Sequence, residues 1–217
     1  MTDTAPELSP LDLASLLCSR LCHDLLSPVG ALSNGLELLA DDNDPEMRQR
    51  YIDLLEQSAR ASSNKLKFFR LAFGSAGGFG ENVSIEEPKE LIEALVAGNA
   101  RITLNWALGT AVLPKPAVKV LLNLAQIAID ALVRGGTLDI GAEVREGASE
   151  IVVRASGPKI AFDSLIGRAL DGELEAGELT SRSAPAHMIQ QLAASLGGGL
   201  QYALTDDALV MGAVLPG

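Results

Sequence analysis

Two cysteines in 217 residues, Cys18 and Cys22, exclude a disulfide framework as the basis of this fold. Aromatic residues are scarce too, at 4%, so a core must be built from Leu, Ala, Val and Ile; hydrophobic residues make up 47% of the chain and supply it. Positive charge is short: 17 Lys and Arg stand against 28 Asp and Glu, a formal charge of −11. No basic cluster offsets that balance, so the chain repels nucleic acid on average and a protein partner is expected. A membrane-length apolar run is also missing. The longest greasy stretch, VLLNLAQIAIDALV, is short and contains Asn123, Gln126 and Asp130, which marks it as a buried helix. The opening MTDTAPELSP lacks the basic and apolar regions of a secretory leader, so a cytoplasmic protein with no membrane contact is expected.

What is present divides into two halves, predicted as residues 1–76 and 80–217. The first half reads as helical. Ser9-Pro10 is an N-cap followed by Pro at the first helical position, Asp12 completes a capping-box-like spacing, and helical periodicity persists to about Ala40. Asp44-Pro45 repeats the signal and opens a second helix to about Phe73; Gly74-Ser75-Ala76-Gly77-Gly78 then reads as a linker. Leu11, Cys18, Cys22, Leu25, Val29, Leu32, Leu36 and Leu39 form a seam stepping by three and four, which makes the two cysteines small core residues. One helical hairpin cannot bury so broad an apolar surface, whereas two hairpins from two chains can, as the four-helix bundle of a homodimer.

The second half alternates strand and helix signals. Strands are predicted at 83–85, 101–106, 137–144, 151–155, 200–204 and 209–215, with helices at 88–97, 114–133, 161–170 and 184–196. Helices on one face of a mixed sheet give an α/β sandwich, with Trp106 in its core. The fold class is α+β.

The chemistry centres on CHDLLSP, residues 22–28. His23 lies one step off the apolar seam, on a polar or small stripe with Arg20, Ser27, Gly30 and Asn34, so it should be exposed. Pro28 lacks the N–H that would bond the Asp24 carbonyl, so the helix should bend there. Hairpin geometry brings Ser62, Ser63 and Lys65 level with the imidazole, and Lys65 could meet an anion or be an ordinary solvated lysine. A neutral imidazole with one nitrogen held by the neighbouring Asp24 carboxylate offers the other as a nucleophile, and a phosphoryl group needs mainly positioning and charge neutralisation. A plain surface histidine fits the same pattern. So, less well, does a metal or haem site on Cys18, Cys22 and His23. His187 lacks a carboxylate neighbour and reads as structural.

His23-Asp24-x-x-x-Pro28 resembles the H-box of sensor histidine kinases, and the hairpin followed by an α/β half follows their layout over nearly the whole chain. The segment Val120–Gly136 resembles the kinase N-box helix, Ile151–Ile160 the strand with D-x-G-x-G, and Ser183–Leu200 the helix after the Gly-rich box. The Mg²⁺-ligating Asn falls on Ile127, the adenine-reading Asp on Ala155, and glycines on Lys159, Ser183 and Pro185. Ile127 offers no oxygen to Mg²⁺, and Pro185 has no N–H for a phosphate. An intact H-box beside a degenerate ATPase-like sandwich resembles the ChpT-type histidine phosphotransferases of alphaproteobacterial cell-cycle phosphorelays; Asn64–Gly78 is similar to that family's second-helix end.

The resemblance implies that phosphate moves from the receiver domain of a hybrid histidine kinase to His23 and on to the Asp of response regulators, with no ATP used. The transferase class is therefore that of a phosphorelay protein and not of an ATP-dependent kinase. Asp24 would orient or deprotonate His23. No cofactor is implied, with Mg²⁺ expected only on the partner receiver. The docking surface would comprise Arg20, Ser27, Gly30, Ala31, Asn34 and Lys65. Two alternatives stand beside this: a non-catalytic pseudokinase interaction module, and an atypical ATP-dependent kinase.

Overall fold

The computed structural model describes residues 9–74 and 81–216; the linker expected at Ser75-Ala76-Gly77-Gly78 lies outside them. Helix α1 spans Pro10–Asp41. Its cap is the one read from sequence: Ser9 Oγ accepts from the Asp12 backbone N–H at 3.1 Å, and Pro10 fills the first position, where no donor is needed. Helix α2 spans Pro45–Phe73, capped by Asp44, whose Oδ1 accepts from Glu46 N–H at 2.9 Å. Between them Arg48 Nη1 donates to the carbonyls of Leu39 and Asp42 at 2.6 and 2.9 Å, closing the turn on the last carbonyls of α1.

Pro28 and Gly35 are the buried positions of α1. Gly35 lets the helices approach closely, because a Cβ there would sit 3.0 Å from Leu55 Cδ2. The expected seam behaves differently. Leu11, Val29 and Leu36 are 75, 48 and 59% exposed, and Cys18 and Cys22 are exposed free thiols. The cysteines are therefore not core residues of this chain. Leu25, Leu32 and Leu39 of the seam are half-buried, with Leu25 packed on the core, whereas Leu11, Cys18, Cys22, Val29 and Leu36 stay uncovered within one chain.

Three aromatics gather where the hairpin meets the second half. Phe68 and Phe69 near the end of α2 are buried, edge-to-face at 5.7 Å, and Phe73 stacks on Phe69 at 5.4 Å. They join one core with the aliphatics that follow.

That second half runs β1 (Asn82–Ser84), α3 (Glu86–Ala97), β2 (Ile102–Leu108), β3 (Val112–Pro114), α4 (Lys115–Ala131), β4 (Gly136–Arg145), β5 (Ala148–Ser156), α5 (Ser164–Leu170), α6 (Ala184–Ser195), β6 (Gly199–Leu204) and β7 (Ala208–Pro216). The main sheet has the order β2-β4-β5-β7-β6; β2 and β4 are parallel across the α4 crossover, and the other pairs are antiparallel. The β4–β5 turn uses Glu146-Gly147, both at positive φ. Alternation sorts the faces: Leu209, Met211, Ala213 and Leu215 of β7 are buried, while Val214 is 48% exposed. Helices therefore cover one face of a mixed sheet, as expected, with Val118, Leu121, Leu122 and Ala125 of α4 fully buried against it. Trp106 is only half-buried, because it stands on the edge strand β2 rather than in the sheet centre. Strand β3 was not anticipated. It pairs with β1 in a separate two-stranded ribbon.

Candidate functional site

His23 projects from the middle of α1 with 83% of its side chain exposed. Neighbouring residues on a helix point about 100° apart, so an imidazole and the next carboxylate do not meet by default. Here they do: His23 Nδ1 lies 3.0 Å from Asp24 Oδ1. The carboxylate is turned and held by Arg20, one turn earlier, whose Nε donates to Asp24 Oδ2 at 2.7 Å. Arg20 reaches further. Its Nη2 donates to Asp130 Oδ2 on α4 at 2.9 Å, and Gln126 Nε2 donates to the other oxygen of Asp130 at 2.8 Å. Arg20 thus leaves the exposed stripe in which the sequence placed it: its side chain is 14% exposed and its charge is shared between two carboxylates. Burial works against the guanidinium charge, but Asp130 and Asp24 outweigh it and hold the group above its ordinary pKa.

Lys65 does stand level with the pair, as hairpin geometry predicts. Its Nζ donates to the Asp24 carbonyl at 2.7 Å, the same carbonyl that Pro28 leaves without its helical donor. The lysine therefore takes up a vacant backbone acceptor across the hairpin. Along the stripe beyond His23, Ser27 and Asn34 are exposed, and Gly30 and Ala31 are half-buried. Nothing lies within 4 Å of where a Gly30 Cβ would be, so that surface is open.

Positions that the kinase resemblance assigns to nucleotide contacts are occupied otherwise. Ala155 and Ser183 are fully buried, and Ile127 and Pro185 are buried as well. Asn123 turns its amide back onto its own helix, donating to the Lys119 carbonyl at 2.8 Å. Ile127, Arg182 and Pro185 face Arg20, Phe68 and Phe73 across a space of about 20 Å³. Small-molecule pockets run to roughly 300–1,000 Å³. His187, on α6, is buried with neither ring nitrogen bonded, and burial lowers its pKa, consistent with a structural role.

Among the described residues no group of three His, Cys, Asp or Glu side chains is arranged to hold a metal ion, and no helix is long and apolar enough to cross a membrane. Sequence reasoning missed Asp130 and Gln126. Their only signal was their presence as polar residues one turn apart on an otherwise greasy helix.

Residues 85–208 match the histidine phosphotransferase C-terminal domain. Over 150 residues the chain is 39% identical to the protein phosphotransferase ChpT of Brucella abortus (strain 2308), covering 69% of this chain and 70% of that one. A solved bacterial phosphotransferase superposes with a TM-score of 0.82 at 30% identity, over 97% of this chain and all of the other. The match takes in both the hairpin that presents His23 and the sandwich that carries Asp130, and the chain belongs to the ChpT-type histidine phosphotransferase family.

Proposed function

We propose that His23 takes a phosphoryl group from the phospho-Asp of a hybrid-kinase receiver domain and hands it to the Asp of response regulators, without ATP. The observation that carries this is the pairing of an 83% exposed imidazole with a carboxylate 3.0 Å from its Nδ1. An Nδ1–H donated to Asp24 leaves the Nε2 lone pair outward, toward a docking partner. Nε2 attacks phosphorus, the N–P bond forms, and the O–P bond of the acyl phosphate breaks. The bonding pair leaves with the partner's Asp as a carboxylate. Asp24 stabilises the positive charge that develops on the ring, in the manner of an orienting carboxylate behind a catalytic histidine. Mg²⁺ belongs to the receiver, where it neutralises the transferred group.

Ser27, Gly30, Ala31 and Asn34 supply a small, open surface on which a receiver can bring its Asp close to Nε2, in a cytoplasmic setting. The uncovered seam of Leu11, Cys18, Cys22, Val29 and Leu36 fits a second copy of the hairpin, giving a homodimer with two independent histidines. The small space beside Ile127 and Pro185 counts against a nucleotide.

Incubation with a phosphorylated receiver tests the reading. Label should pass to the wild type and not to His23→Ala. Equal labelling of both, or of neither, ends the proposal. Calorimetry with Mg·ATP should show no binding.

A further inference from the structure

We propose that Asp130 is a positioning residue for phosphotransfer, through which the α/β half sets the orientation of the phospho-accepting imidazole. The inference rests on the role of His23 given above. Four contacts form one continuous chain: Gln126 Nε2 to Asp130 Oδ1 at 2.8 Å, Arg20 Nη2 to Asp130 Oδ2 at 2.9 Å, Arg20 Nε to Asp24 Oδ2 at 2.7 Å, and Asp24 Oδ1 to His23 Nδ1 at 3.0 Å. Each of the four carboxylate oxygens in it has one partner. Asp24 divides its two oxygens between Arg20 and His23, and Asp130 divides its own between Gln126 and Arg20.

The chain needs an anchor outside α1. Arg20 and Asp24, 14 and 17% exposed, sit one turn apart on the same helix, so their pairing alone ties the carboxylate to nothing outside α1. Asp130 supplies the anchor. Its side chain is 44% exposed, but it stands on α4, whose opposite side is fully buried against the sheet, and Gln126 donates to its free oxygen. Arg20, 14% exposed, is held between two carboxylates by charge-assisted bonds from separate nitrogens of its planar fork. Asp24 is thereby kept in the rotamer that reaches His23, which fixes Nδ1 as the protonated nitrogen and Nε2 as the nucleophile.

The test uses the full chain with Asp130→Ala, Asp130→Glu and Asp24→Asn. Nitrogen-15 NMR of His23 at neutral pH reads the tautomer ratio. Wild type should be predominantly Nδ1–H, Asp130→Ala should shift toward a mixture, and Asp130→Glu should restore most of the preference. Transfer from a phosphorylated receiver should fall about tenfold in Asp130→Ala with the receiver concentration for half-maximal rate unchanged, since small misplacements of a reacting group cost up to about 10²-fold. If Asp130→Ala leaves both tautomer ratio and rate at wild-type values while Asp24→Asn changes them, the proposal is overturned. If wild type accepts no phosphate, the phosphotransfer reading fails, and the NMR result still decides whether Asp130 orients the ring.

Discussion

Asp24 has two oxygens and both are taken, so replacing it separates charge from shape. Asp24→Asn keeps the side-chain volume but presents an amide to His23 and to Arg20. The ring then loses the acceptor that fixes Nδ1–H and stabilises its developing charge. Phosphotransfer measured by receiver dephosphorylation should fall about 100-fold, within the usual range for a group that assists proton placement. His187 makes a contrasting case. It is buried without a partner, and burial pushes its pKa below the ordinary value of 6.5. Below pH 6.5 the unfolded chain binds a proton that the folded chain declines, so stability falls as pH drops from 6.5 to the lowered native value and is flat beyond it. The thermal midpoint should decline across that window in wild type and decline less in His187→Gln. A midpoint insensitive to the substitution at both ends of the window removes His187 from the acid response.

At the level of elements, α1 runs on through Pro28, and Lys65 of α2 serves the carbonyl that proline strands. Lys65→Met should leave that partly buried carbonyl without a donor and lower stability by about 1–3 kcal/mol in denaturant unfolding, with an unchanged m-value. Much of this was legible beforehand. Ser9-Pro10 and Asp44-Pro45 mark both helix starts, and the alternation in Leu209–Leu215 marks a strand with one buried face. Strand β3 was not legible, since its three residues end in Pro114, which by itself signals a helix start, and its partner β1 lies some thirty residues away. The site divides the same way. His23, Asp24 and the level of Lys65 follow from local spacing along helices. The Arg20–Asp130 bond joins residues 110 positions apart, and no periodicity reports such a contact. For that reason Arg20 read as an exposed stripe residue, and Cys18 and Cys22 read as core: a seam announces an apolar face without saying which surface covers it.

Over the whole molecule, net negative charge coexists with exposed greasy surface. The chain carries −11 overall, yet Leu11, Leu26, Val29 and Leu36 stand 48–75% exposed along one side of α1. Val29→Glu combined with Leu36→Glu should therefore cost the single chain little, while light scattering should drop from about twice 22.7 kDa to 22.7 kDa if a second hairpin covers that side. A wild type already at 22.7 kDa would refute the dimer. The two thiols sit one turn apart along the same strip, and among the described residues no disulfide engages them. The natural sequence thus comes with its own chemical reporter. Iodoacetamide should alkylate Cys18 and Cys22 at a rate proportional to the fraction of chains standing apart, so modification slows as protein concentration rises. Mass spectrometry of that reaction measures a dissociation constant without a tag, a dye or a substitution.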